Sequence, residues 1–220
     1  MTIDTERRST VSASSPIPPV AVSDREEAVK SRRWVPGEPG IWALILTDLG
    51  IFTTYFIVFM AEWIRDPEVF ANGHDAIHLS AGILNTFFLL TASFFVALAV
   101  QTLRQGMVVK CQRLLLGAGL CGVAFVVNKY LEWSDKLASG HHPSDDIFFQ
   151  LYFIITGIHL LHVLIAMVLL AFMSRRASRV VGAPTPQQSR FVENCASYWH
   201  MVDLLWLGIL ALFYLMGATA

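Results

Sequence analysis

Five apolar stretches, each long enough to cross a bilayer, leave this chain very few ways to fold. Read against the roughly 20 residues a transmembrane helix needs, residues 41–62, 79–103, 114–133, 147–173 and 196–216 all qualify. The second and fourth contain no Asp, Glu, Lys or Arg. Inside hydrocarbon every backbone N–H and C=O must be satisfied within the segment itself. Each stretch is therefore predicted to be a helix, and the fold class is all-α: a polytopic membrane protein with five transmembrane helices in a bundle. Composition agrees, since 55% of the 220 residues are hydrophobic and only 15% are charged. The charges crowd into short connections between the apolar runs, none of which is large enough to be a soluble domain. No repeat of fixed period is visible.

Residues 1–33 differ sharply, being rich in Ser, Pro and charge and too poor in apolar residues to pack a core. They are expected to form a disordered tail ahead of a membrane domain at 34–220. The best candidate for a signal peptide, "IPPVAV", is short and broken by two prolines, so the tail is expected to stay attached. Cationic loops are retained on the cytoplasmic side. Six Lys or Arg lie in the tail (Arg7, Arg8, Arg25, Lys30, Arg32, Arg33), three in the second-to-third connection (Arg104, Lys110, Arg113) and four in the fourth-to-fifth (Arg175, Arg176, Arg179, Arg190). The opposite loops hold only Arg65 and Lys136. This asymmetry predicts the N-terminus in the cytoplasm and, with five crossings, the C-terminus outside.

Cys111, Cys121 and Cys195 form no CxxC pair, and that topology keeps them in the cytoplasm or the membrane, so no disulfide framework is implied. A net charge of −1 gives no reason to expect a nucleic-acid partner. Pro36 and Pro39 fix an extended entry to the first span. Trp34 and Trp42, and Trp63, Trp133 and Tyr214 at the far ends, fit an interfacial aromatic belt. The stretches "RDPEVFANGHDA", "SDKLASGHHPSDD" and "SRVVGAPTPQQSR" are expected to be loops.

Within the hydrocarbon zone lie Asp48, Lys129, Glu132, His159, His162, His200 and Asp203. One ionised residue at mid-bilayer costs roughly 2.5 to 3.5 kcal/mol, so the four charged ones together cost on the order of 10 kcal/mol unless pairing, protonation or water relieves it. Lys129 and Glu132 are three apart and share a helix face; near the outer end, they fit either a self-paired rim pair that snorkels or a functional pair. Asp48 and Asp203 lie on different helices with no intramembrane Lys or Arg at their depth.

Tyr152, Thr156, His159 and His162 are spaced 4, 3 and 3, a polar stripe that must face protein or water rather than lipid. Imidazole is a good haem or metal ligand, yet two histidines on one face do not clamp a haem from both sides. A single bis-histidine haem built from His200 and one of the pair stays open, against a packed, hydrogen-bonded helix contact. Zinc or copper would want three or four ligands, and cysteines and carboxylates are sparse around the pair.

From residue 34 to 217 the sequence resembles subunit III of the haem-copper oxidases, in a short form with five helices. The resemblance is carried by "LNT" at 84–86, "EW" at 132–133, "TGIHLLHV" at 156–163 and "SYWHMVDLLWL" at 197–207. It implies a non-catalytic accessory subunit of cytochrome c oxidase type, multi-pass in a bacterial cell membrane, whose helices form a V-shaped cleft holding phospholipid. It also implies packing against a catalytic haem-bearing subunit and support for assembly and proton uptake. Haem and copper or iron would then sit in partner subunits, with no cofactor or metal in this chain. Asp48, Lys129, Glu132, His159, His162, His200 and Asp203 become lipid-cleft and subunit-contact residues.

Some positions depart from that pattern. Thr47 and Asp48 stand where the family usually has Ser-Glu, Ser80 where many members carry Glu, and Lys129 where Gln is frequent. With "RDPEVF" and "WHMVD", these changes resemble the branch that accompanies nitric oxide reductases, which would make the partner a nitric oxide reductase large subunit in denitrification. A b-type membrane cytochrome and a small proton-coupled transporter using Asp48, Asp203 and Lys129 are the readings from other classes.

Overall fold

The structure, a computed structural model, describes residues 39–180, 182 and 184–216. The tail at 1–33, its boundary with the membrane domain, Trp34 and Pro36 lie outside the described residues. Every regular element described is helical. In chain order they are α1 (Pro39–Arg65), α2 (Pro67–Asp75), α3 (Leu79–Arg104), α4 (Val108–Ala138), α5 (Ile147–Ala177) and α6 (Pro186–Leu210), which runs on into a π-helical turn, Ala211–Leu215. Five of them are long and apolar enough to cross a membrane, α6 together with its π turn being the last.

The helices outrun the apolar windows that announce them. α4 extends six residues before and five after the predicted 114–133. α6 begins ten residues before 196, where a loop is expected. Charge ends an apolar window without ending the hydrogen-bond ladder, and α6 starts at its own cap. Thr185 Oγ1 accepts from Gln188 N (3.3 Å) while Gln188 Oε1 accepts from Thr185 N (2.9 Å), with Pro186 at the first helical position. This capping box is legible in "TPQQ".

"RDPEVFANGHDA" is likewise not a loop but contains α2, with Asp66 at its N-cap, Pro67 at its start and Glu68 in the first turn. Those are helix-start signals too short for an apolar-window search. α2 is held by Phe70, buried edge-on against Phe59 (centroids 5.0 Å) and Phe148 (5.5 Å). Phe213 of the π turn joins that cluster 4.7 Å from Phe59. Gly73 lies so close beneath the Phe148 ring that a Cβ there would collide with it.

α3, α4, α5 and α6 close a ring in which α3 with α4 is the most extensive pairing, and α1 lies against α5 and α6. The buried positions of α3 (Gly82, Asn85, Leu89, Ala92, Val96, Ala99, Leu103) repeat every three and four residues. Those of α4 do the same from Cys111 to Lys136. This is the near-heptad spacing of helices crossing at a shallow left-handed angle. Ala92, Ala99, Ala118 and Gly122 in these stripes permit close backbone approach, which drives helix association where lipid is as apolar as leucine. Arg104 donates to Glu193 (2.7 Å) and ties α3 to α6 at one end. Cys111, Cys121 and Cys195 are free thiols.

Candidate functional site

Apart from His159, the ionisable residues singled out within the spans fall into three separate clusters. The first is a closed network on α4, α5 and the π turn. Lys129 Nζ donates to Glu132 Oε2 (3.2 Å), Tyr152 Oη (3.0 Å) and Tyr214 Oη (3.0 Å). Both phenols in turn donate to Glu132 Oε1, Tyr152 at 2.6 Å and Tyr214 at 2.5 Å. All three ammonium protons and both hydroxyls are thereby used. Lys129 is 1% exposed, with the rings of Tyr152, Trp206 and Tyr214 at 4.6, 5.6 and 5.6 Å from Nζ.

This corrects two expectations. The pair does not snorkel at a rim but is sealed in the bundle. Tyr214 is no belt residue, since the π turn swings it inward over Gly82, whose Cβ would stand 2.5 Å from its ring. The π turn itself is held from α2. His74 Nδ1 donates to the Phe213 carbonyl (2.9 Å), and burial lowers the His74 pKa against the upward pull of that bond and of Asp75.

The second cluster joins α1 and α5. Asp48 Oδ2 lies 3.5 Å from His162 Nε2, with side chains only 10% and 15% exposed, while His162 Nδ1 bonds the Ile158 carbonyl (2.7 Å). Asp48 therefore has a partner at its depth after all, an imidazole rather than a Lys or Arg. Phe52 packs edge-on to His162 (5.5 Å), so α1 presents an acid and a ring together.

His159, three residues back, behaves differently. It is fully buried, with Trp206, Phe125 and Phe52 at 5.3, 5.8 and 6.5 Å. Neither of its ring nitrogens has a hydrogen-bond partner. The contact is packed, as one of the open readings had it, but not hydrogen-bonded.

The third cluster is Ser93 on α3 with His200 and Asp203 on α6. Ser93 Oγ and His200 Nδ1 share a 2.6 Å hydrogen bond, and Asp203 follows one turn along α6. Asp203 is 7% exposed with Oδ1 unpartnered, whereas His200 is exposed. Ser93 carries no signal in the sequence, being one of several hydroxyls in a long apolar helix. Two further pairs fasten α3, Asn128 Nδ2 to Asn85 Oδ1 (2.9 Å) and Trp206 Nε1 to Thr86 Oγ1 (2.9 Å).

A b-type haem between His200 and His159 does not fit this arrangement, because one imidazole faces out of the bundle while the other is enclosed by aromatic rings. Nor do Asp48, Asp203 and Lys129 line one path, each sitting in its own cluster. Among the described residues no three His, Cys, Asp or Glu stand together as a metal site.

The described residues form a five-span helical bundle in which Lys129 with Glu132 and Asp48 with His162 are paired inside the spans. Residues 40–218 match the family described as cytochrome c oxidase subunit III, and the chain belongs to it. It is an accessory, non-catalytic subunit of a haem-copper oxidase. Among its relatives is the cytochrome bo(3) ubiquinol oxidase subunit 3 of Pseudomonas aeruginosa, 28% identical over 81% of this chain and 84% of that protein. A probable cytochrome c oxidase subunit 3 of Nocardia farcinica is 25% identical over 90% and 95%. In Aeropyrum pernix a haem-copper oxidase subunit I+III matches 86% of this chain at 24% identity, over 23% of its own length. As a subunit III, the chain associates with a subunit I.

Proposed function

We propose that the chain, in a bacterial cell membrane with its N-terminus in the cytoplasm, assembles on the haem-bearing subunit, holds phospholipid in a cleft and supports that subunit's proton uptake. Haem and copper or iron stay in the partners. The observation that carries this reading is the Asp48–His162 contact. An acid and an imidazole, mostly but not wholly buried, meet about 13 Å along α1 from its start, where hydrocarbon offers no solvation. Such a pair gives a proton a place to reside within the bundle. It also gives an anionic or zwitterionic lipid a polar contact.

The test is the intact complex carrying Asp48→Asn. Haem content should match wild type, while turnover falls and activity decays faster during sustained turnover. Unchanged turnover and lifetime would remove the proton-uptake role.

A second reading, resting on the resemblance at Thr47, Asp48, Ser80 and Lys129 alone, has a nitric oxide reductase as the partner. Deleting the chain would then lower nitric oxide consumption during denitrifying growth and spare oxygen consumption; the reverse favours the oxidase.

A further inference from the structure

A pocket of about 530 Å³ opens at the end of the bundle where α1 stops, walled by Trp63, Glu68, Ala71, His74, Asp75 and Met216. Its volume falls within the roughly 300–1,000 Å³ of small-molecule sites. Glu68, Ala71 and Asp75 follow one another at three and four residues, so α2 turns a single face to it.

His74 is 9% exposed, and its bond to the Phe213 carbonyl fixes its chemistry. A carbonyl oxygen only accepts, so Nδ1 carries the proton and Nε2 of the neutral ring keeps a lone pair. Phe59 and Phe148 pack edge-on against the ring at 6.5 and 5.2 Å. Nε2 is buried with no hydrogen-bond partner, an acceptor that His74 brings to the pocket wall. The carboxylates are unpaired as well. At this end of the bundle Arg65 is taken by Glu62 (2.8 Å) and Lys136 by Asp135 (3.3 Å), and neither Glu68 nor Asp75 has a Lys or Arg in ion-pair reach among the described residues.

We propose that this pocket binds a primary ammonium group, held by Glu68, Asp75 and His74 Nε2 beside the Trp63 indole. The three N–H donors of an –NH₃⁺ match two carboxylates and one imidazole lone pair, and the indole adds a cation–π face. A quaternary ammonium has no N–H for His74, and an anion would meet two carboxylates. Residues 68 and 75 stand two turns of helix apart, about 10 Å, which favours hydrogen bonds of about 2.8 Å on either side of a nitrogen over the shorter bonds of a metal. Among the described residues Glu68, His74 and Asp75 form no group that could hold a metal ion.

α1 crosses the membrane up to Arg65, so the pocket lies at headgroup level. A primary ammonium reaches that level as the headgroup of an ethanolamine phospholipid or as a water-soluble amine. The site rests on neither the proton-uptake reading nor the identity of the partner.

The test uses the full chain in nanodiscs, labelled with fluorotryptophan, its Trp63 fluorine resonance assigned through Trp63→Phe. In discs of phosphatidylcholine and phosphatidylglycerol, ethanolamine should move that resonance saturably, and choline at the same concentrations should not. Glu68 and Asp75 are exposed, so Glu68→Gln and Asp75→Asn leave folding intact, and each should weaken ethanolamine binding about tenfold, the weight of one charge-assisted hydrogen bond. His74→Phe should weaken it too. In a second arm, phosphatidylethanolamine replaces phosphatidylcholine and no soluble amine is added. A shift there that Glu68→Gln/Asp75→Asn abolishes makes the headgroup the source, whereas a response to added ethanolamine alone makes it a soluble amine; either supports the site. No shift in either arm overturns the proposal, as does an equal response to choline or wild-type binding by the carboxylate variants.

Discussion

Lys129→Met isolates the network at the centre of the bundle. The substitution keeps the length of the side chain and removes the ammonium, leaving Glu132 buried with a charge and only the two phenols to solvate it. Breaking a buried pair from one side costs about 3–5 kcal/mol. The two surviving O–H donors reduce that here to roughly 3 kcal/mol, or about 150-fold in the folding equilibrium. Lys129→Met/Glu132→Leu removes both charges together, and Tyr152 and Tyr214, which bond the same two groups, can then bond each other. The double variant should lie within about 1 kcal/mol of wild type, since apolar replacement of a buried pair is often neutral. Lys129→Gln should fall between, keeping a donor and losing the charge.

The assay is reversible unfolding in mixed detergent micelles followed by tryptophan fluorescence, run as a double-mutant cycle. Trp206, 5.6 Å from Lys129 Nζ, is the natural reporter. A loss below about 1 kcal/mol for Lys129→Met, or a double variant no more stable than the weaker single one, would refute the idea that the two charges are held only by each other and the phenols.

His159→Leu should change stability by less than about 1 kcal/mol despite complete burial, because the imidazole it removes has no hydrogen bond to lose; a loss beyond about 2 kcal/mol, measured the same way, would mean the ring holds a polar partner. Gly82→Ala drives a methyl into the Tyr214 ring and should cost about 1–3 kcal/mol, whereas Gly50→Ala, which meets nothing, should gain up to about 1 kcal/mol in helix propensity. His74 has its pKa lowered below the ordinary 6.5 by burial. The unfolded chain therefore takes up its proton first as pH falls, so the stability contributed is fully present above pH 6.5 and is lost towards lower pH. Unfolding midpoints measured across that window should slope for wild type and flatten for His74→Phe.

Five spans could be read off the sequence because apolar length is a one-dimensional property, and hydrocarbon admits no backbone answer but the helix. The family likeness was legible too, in short motifs around His159, His162 and His200. The ends of α4 and α6 and the whole of α2 were not visible to an apolar window, although "DPE" and "TPQQ" carried their start signals. Partnership between the polar residues lay beyond the sequence. That Lys129 and Glu132 shared a face followed from their spacing, but their burial depended on Tyr214. That residue stands 82 positions from Glu132 and is turned inward by a π turn that no composition announces.

Asp48 finding His162, and Ser93 finding His200, likewise required helices far apart in the chain to meet at one depth. Spacing along a helix decides which side chains share a face. Only packing decides whether that face meets protein, lipid or another subunit, because burial belongs to the arrangement of helices and not to any one of them.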